Sequence, residues 1–258
     1  IVWKEKCLNF LEGAFAFCIY DSFLKKNFMA RDRFGQKPLH YQIKNNSVLF
    51  GSEVKSLIAF GYKPKPNFNT WKDYLISGKF PEKDKTFFLD ILQVQPGEYI
   101  IIDHKLNIKK KLWYQLKKFK FKNKKINNQK ILSKFYKSIK NSSESDVEYA
   151  ISLSGGLDSA ILANLFKKIK KKKPICYSIG FGKNFNEFLN VKKSLRFNGL
   201  KGKFINISDK ECLENIKPLV WHNEAPTGGI MQIGQTKIAK VISKENIKVL
   251  QDGTGLDE

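Results

Sequence analysis

The chain has 258 residues, 42% hydrophobic and 13% aromatic, with a formal net charge of +23. That is enough apolar material for one large or two modest cores, and no uninterrupted apolar run is long enough to cross a membrane. The charge first suggests nucleic acid, but only Arg31, Arg33 and Arg196 are arginines among 47 basic residues, and phosphate clamping and base reading favour arginine. The lysines therefore read as a solvated surface, and nucleic acid is not expected as a partner.

Ile1-Val2-Trp3-Lys4 shows neither an initiator Met nor a signal-peptide layout, and the chain stops inside a glycine motif at Glu258. A fragment cut at both ends is the expectation. Cys7, Cys18, Cys176 and Cys212 form no CxxC pair, and His40, His104 and His222 are scattered, so no zinc spacing is present. Cys18 and Cys176 lie in apolar strand patterns and read as small core residues of a reduced, cytoplasmic protein.

In chain order, Leu11 to Asp21 predicts a strand with Phe15, Phe17 and Ile19 on one face, and Phe28-Met29-Ala30 begins a second. Arg31-Asp32-Arg33 then enters a Gly- and Pro-containing stretch. These charges invite a catalytic role, but a salt-bridged corner that fixes the turn is the favoured reading. Leu39–Ile43 and Val48–Phe50 flank Asn45-Asn46, a hairpin signal. Ser52 to Ile58 reads as a short capped helix, Tyr74 to Gly78 as a helix end, and Pro96-Gly97 as a turn before a strand. The first part is thus a strand-rich antiparallel unit. Phe119 to Asn128, rich in Lys and Asn, reads as a linker, giving units over 1–118 and 131–258 joined by 119–130.

Ile131 to Lys140 is an amphipathic helix by spacing. Then Ala150-Ile151-Ser152-Leu153 reads as a buried strand, Ser154-Gly155-Gly156 as a tight turn, and Asp158 as the start of a helix carrying Ile161, Leu162, Leu165 and Phe166. The lysines of 167–173 complement the negative end of that helix. Ile175–Phe181, Phe204–Ile207 and Ile247–Leu250 follow as strands. Phe185–Phe197, closed by Gly199, a helix capped by Ser208 or Asp209, and Ile230–Lys244 follow as helices. Alternating strands and helices imply a doubly wound parallel sheet, whose ligand crevice lies outside the carboxyl ends of its strands.

The turn after Leu153 is the chemical centre of the sequence. Free helix amides, the helix dipole and the hydroxyls of Ser154 and Ser159 make an anion site. Asp158 would repel a phosphate unless a divalent cation lay between them, so it reads as a Mg²⁺ ligand reached through nucleotide phosphates. The turn is not a GxxxxGK[ST] loop, because no Lys follows the second Gly.

Ser154-Gly155-Gly156-Leu157-Asp158-Ser159 resembles the pyrophosphate loop of ATP pyrophosphatases, which cleave ATP to AMP and pyrophosphate. Leu11 to Phe17, Arg31 to Leu39 and Ser52 to Leu57 resemble the back half of a class II glutaminase domain. With Val94 to Asp103 and Trp113-Tyr114, the chain resembles the glutamine-hydrolysing asparagine synthetases. The resemblance implies an α/β two-domain fold. The C-terminal half of an Ntn-type glutaminase precedes a doubly wound sheet of adenine-nucleotide-hydrolase type. The family's nucleophile is an N-terminal cysteine, which internal Cys7 is not, so this stretch is not expected to hydrolyse glutamine.

Gln251-Asp252-Gly253-Thr254-Gly255-Leu256-Asp257-Glu258 resembles the family's Ser-Gly-Glu-Gly-x-Asp-Glu loop. The match implies Asp257 as a second Mg²⁺ carboxylate beside Asp158, and Gly253 and Gly255 as backbone contacts to the nucleotide. Ser152 and Ile179 would flank adenine, and Leu153 and Asp252 would complete the ATP site. Glu224-Ala225-Pro226-Thr227 looks like the family's Glu-x-Pro turn on the acceptor side. Thr254 departs from the pattern, standing where the family commonly carries a Glu assigned to proton handling.

The implied reaction uses ATP and Mg²⁺ to adenylate a carboxylate, and ammonia from glutamine then yields an amide. The acceptor is aspartate or, as Thr254 raises, another carboxylate such as a sugar acid. A tRNA-modifying pyrophosphate-loop enzyme and a non-catalytic nucleotide-binding relative are the alternatives. The expected partners are small molecules, with no membrane, and a homodimer stays open.

Overall fold

The computed structural model describes residues 3–44, 46–116, 127–144, 146–169, 173–182 and 185–254. The chain divides into two compact units, Ile1–Lys124 and Lys125–Glu258.

The first unit is built on a four-stranded antiparallel sheet of β1 (Ala16–Asp21), β2 (Lys26–Arg31), β6 (Glu98–Asp103) and β7 (Ile108–Leu112), in the order β1-β2-β6-β7. A second antiparallel sheet has β3 (His40–Lys44) between β4 (Ser47–Gly51) and β5 (Leu92–Gln93). Strand alternation gives the first sheet two apolar faces. Met29, Ile100 and Ile102 pack with Leu39, Tyr41 and Val94 on one side, and Ala30 and Tyr99 with Leu8 on the other. Phe15 and Phe17 stack at 5.7 Å on the second face, whereas Ile19 is 53% exposed and does not join them. The edge strand β7 carries exposed Lys109, Lys110 and Lys111, which discourage pairing with another chain.

The Asn45-Asn46 hairpin pairs β3 with β4 in antiparallel register, and Asn46 has φ 57° (Asn45 lies outside the described residues). Helix α1 (Val54–Ala59) forms as expected, and the side chain of its N-cap residue Glu53 makes no cap bond. Helix α2 (Phe68–Ser77) ends at Gly78 in the left-handed region.

The Arg31-Asp32 corner is held through the main chain. Arg31 donates from Nε to Lys37 O, from Nη1 to Val94 O and from Nη2 to Gly35 O, at 2.7, 2.8 and 2.7 Å. Asp32 accepts from the amides of Phe34 and Gln36 on Oδ1, and of Phe15 and Lys37 on Oδ2. Both groups are therefore structural. Pairing between side chains contributes less to the corner than the sequence suggested. Trp113 closes the corner, donating to Arg31 O at 3.2 Å beneath the Arg33 guanidinium.

In the second unit, α3 (Asn128–Ser143) starts on the cap of Asn127, so the last residues of the expected linker belong to its first turn. The described sheet contains β8 (Tyr149–Ser152), β9 (Ile175–Phe181), β11 (Lys201–Ile207) and β12 (Val249–Gln251). The pairings run β11-β9-β8-β12, all parallel. Helix α4 (Leu157–Ile169) links β8 to β9, and α5 (Phe188–Asn198) links β9 to β11. Both pack with α3 on one face, where Ile151, Leu153, Leu162, Phe166, Cys176 and Leu195 form the core. Helices α6 (Asp209–Asn223) and α7 (Ile230–Lys244) cover the other face, through Ala150, Tyr177, Ile207, Leu219, Ile233 and Ile238. This is the doubly wound arrangement expected. Strand order reverses between β8 and β12, which places the crevice there.

Helix α5 starts three residues later than its periodicity suggests. Phe185–Asn186 instead form β10, a short antiparallel partner of the end of β9. Cys176 is a core residue and Cys18 packs half-buried against the core of the first unit, and burial pushes their thiols up to about 12 and about 11.

Ser208 caps α6 in a full capping box with Glu211, whose carboxylate also pairs with Lys237 of α7. The Lys237 ammonium, then the Ser208 amide, hold the Glu211 carboxyl down at about 2. A lowered folded-state value stabilises above the ordinary carboxylate range and is lost as pH falls toward the folded value. The stability difference between wild type and Glu211→Gln is expected to shrink between pH 4.5 and 2. Solvent screening keeps that difference small. Urea midpoints across that range test it, and a difference independent of pH would remove the charge from the explanation.

Candidate functional site

The loop after β8 is tightly self-bonded. Leu153, 2% exposed, donates its amide to Tyr177 O at 2.8 Å as the last rung between β8 and β9. Ser159, in the first turn of α4 and 5% exposed, turns its hydroxyl inward. Its Oγ accepts from the Ser154 amide at 3.1 Å, and lies 3.1 and 3.2 Å from Ser154 O and Gly156 O. Ser159 therefore holds the loop closed, while Ser154 is exposed, with its own Oγ 2.9 Å from that of Ser159. The Gly156 amide donates to Ser154 Oγ at 3.2 Å. The first amides of α4, which lack partners inside a helix, and the Ser154 hydroxyl remain to face an anion.

The loop after β12 comes to the same place. β12 pairs with β8 so that Gln251 lies beside Ile151, which brings Asp252 level with Ser152. A Cβ on Gly253 would lie 3.1 Å from the Ser159 amide nitrogen and 3.2 Å from Asp158 Cβ. A side chain at this position would crowd the start of α4, which would have to give by a few tenths of an ångström. Asp252 is exposed and accepts from the Thr254 amide at 3.2 Å. Gly255 and Asp257 lie outside the described residues.

Ser152 and Ile179 share the α7 side of the sheet, with Ser152 beside Tyr177 in register and Ile179 one step further along that face of β9. Gly234 of α7 packs directly on Ile179, where a Cβ would meet Ile179 Cδ1 at 2.7 Å. Glu224 ends α6 in the left-handed region, φ 55°, which is the turn that the Glu-x-Pro pattern marks.

One carboxylate in the site escaped the sequence reading. Glu187 Oε2 accepts from the Gly155 amide at 2.7 Å. Its only local signal was an acid at the start of α5, an ordinary place for a carboxylate.

Among the described residues, no group of three His, Cys, Asp or Glu side chains could hold a metal by itself. The carboxylates around the two loops are those of Asp158, of Glu187, which holds the Gly155 amide, and of Asp252, which holds the Thr254 amide. Also among them, no helix is long and apolar enough to cross a membrane.

Residues 130–258 match the asparagine synthase family, and residues 1–114 match a glutamine amidotransferase domain. Amidase chry2 of Gibberella zeae is 24% identical over 280 residues, covering 100% of this chain and 41% of that protein. Glutamine-hydrolyzing asparagine synthetase 1 of Bacillus subtilis is 28% identical over 261 residues, covering 99% of this chain and 40% of that one. The chain thus spans about two fifths of the length of these curated relatives. Among solved structures, the NH3-dependent NAD synthetase of Campylobacter jejuni covers 48% of this chain and 56% of its own, with 18% identity and a TM-score of 0.35. With one half of its length matching the synthase and most of the rest an amidotransferase domain, the chain belongs to the asparagine synthase family.

Proposed function

We propose that this chain belongs to an ATP-dependent amidotransferase that adenylates a carboxylate and transfers glutamine-derived ammonia to it. ATP loses pyrophosphate as the carboxylate attacks the α-phosphorus. Ammonia then displaces AMP from the acyl-adenylate, leaving an amide. The single observation that carries this reading is the contact of Gly253 with Asp158 and Ser159, which joins the two glycine loops at the reversal of strand order.

The chain's own part is mostly electrostatic. Charge builds on the departing pyrophosphate, and the Ser154 hydroxyl and the first amides of α4 are preorganised to receive it. The Ser152–Ile179 side of the sheet is assigned to adenine. Mg²⁺ commonly binds through one or two carboxylates plus substrate phosphates, so Asp158 at the phosphate loop fits it without a cage of protein ligands. When bound, the ion neutralises phosphate charge. Asp257 would add the second carboxylate.

Aspartate is the acceptor assigned first. A second reading, another carboxylate such as a sugar acid, is favoured by Thr254, whose hydroxyl cannot serve as a carboxylate base. The lysine-rich surface is solvated in both readings, and the substrates are small molecules. The test is pyrophosphate release from ATP, Mg²⁺ and ammonia, with and without aspartate. Aspartate-dependent release is expected. Release that ignores aspartate but responds to another carboxylate would replace the acceptor, and no release with any carboxylate would remove the reaction.

A further inference from the structure

Glu187 is the N-cap residue of α5, yet its side chain makes no cap bond to its own helix. The carboxylate instead reaches across to the loop after β8 and accepts the Gly155 amide at 2.7 Å. The approach is close along the whole side chain. A Cβ on Gly155 would lie 3.0 Å from Glu187 Cβ and 3.1 Å from Asn190 Cβ, so α5 docks on the loop at this point.

We infer that Glu187 is a positioning residue for the phosphate loop, an inference that rests on the nucleotide reading above. An amide has one hydrogen, and that of Gly155 is taken by Glu187. The Ser154 amide goes to Ser159 and the Gly156 amide to Ser154 Oγ. The three amides of the turn are thus used to set its shape, and the anion is left to the α4 amides and the Ser154 hydroxyl. Two of these bonds stay within the loop and α4, and among the described hydrogen bonds of the turn the Glu187 bond is the one that ties it to α5. Without it, the stretch between Leu153 and Leu157 keeps its inner serine bonds but loses its external anchor.

A carboxylate on an anion-binding loop has a competing explanation: it could stand in for phosphate and be displaced when nucleotide binds. The two roles predict opposite effects. Glu187→Gln and Glu187→Ala both remove the charge, but only glutamine keeps an acceptor at the right reach. Comparing them isolates the hydrogen bond from the charge. If Glu187 positions the loop, Glu187→Ala binds MgATP about tenfold more weakly than Glu187→Gln, the worth of one charge-independent bond that orders the site. If it competes, the alanine variant binds as tightly as the glutamine variant or more tightly, and the positioning role is overturned.

The experiment is calorimetric titration of wild type and both variants with MgATP. It is paired with amide hydrogen exchange at Gly155 without nucleotide, which also decides the matter should the alanine variant be too unstable to titrate. Protection of the Gly155 amide in wild type and Glu187→Gln, and at least about tenfold faster exchange in Glu187→Ala, is the expected result. Equal exchange in all three would overturn the inference. Wild type that fails to bind MgATP would overturn the nucleotide reading instead, and the exchange data would still decide what Glu187 does to the loop.

Discussion

Replacing Asp158 by asparagine is expected to lower magnesium-dependent pyrophosphate release about 100-fold or more, while leaving the fold intact. Asparagine keeps the shape of the side chain, so the contact of Asp158 Cβ with Gly253 survives. The charge is lost, and with it the carboxylate assigned to the metal. Losing a charge-stabilising group from a site of this kind costs on the order of 100-fold in rate. If Asp158 served only the dipole of α4, the change would cost at most about 1 kcal/mol of stability and nothing in turnover. Steady-state rates against Mg²⁺ concentration separate the two. A metal role shifts the Mg²⁺ dependence upward as the rate falls, and unchanged pyrophosphate release in the variant would sink it.

The largest effect on stability is expected at Asp32. This residue is 1% exposed, and its two carboxylate oxygens accept four backbone amides, those of Phe15, Phe34, Gln36 and Lys37. Asp32→Ala leaves these donors without their acceptor in a place that water reaches poorly. An orphaned buried donor costs about 1–3 kcal/mol, and partial relaxation of the loop brings the sum to roughly 3–5 kcal/mol. That is a large share of the roughly 5–15 kcal/mol that holds a domain folded. Asp32→Asn retains one acceptor oxygen, and an intermediate loss is expected. Urea unfolding of the first unit measures both. A loss under about 1 kcal/mol in Asp32→Ala would mean that the corner is held by Arg31 and the strands alone.

Much of the fold could be read locally. Gly78 and Gly199 end their helices in the left-handed region because only glycine adopts it without strain, a rule that acts within one turn. Ser208 or Asp209 is the expected cap of the helix after β11, and the structure caps it with Ser208, in a box with Glu211. The apolar spacing of Ile230–Lys244 matches the observed α7. Strand β8, the glycine turn and α4 follow from a short apolar run, two glycines and a helical repeat. Local rules failed where an opposing partner was available. Phe185 and Asn186 have helical neighbours, but they pair back on Gly180 and Phe181, so α5 begins later. Ile19 alternates correctly for the buried face of β1 and is nevertheless exposed, because that face is covered only toward Phe15 and Phe17.

The sequence by itself therefore determined the class of each unit, the positions of most strands and helices, and the two glycine motifs. Each depends on side-chain periodicity or backbone freedom over a few residues. Only the tertiary structure decided that β12 lies beside β8, that Gly253 rests on Asp158, and that Glu187 holds Gly155. These contacts join segments distant in the chain, and the packing of helices on both sheet faces selects them. No local preference records that choice: the meeting of the two loops is expected from the family resemblance, and the fold supplies the contacts that make it.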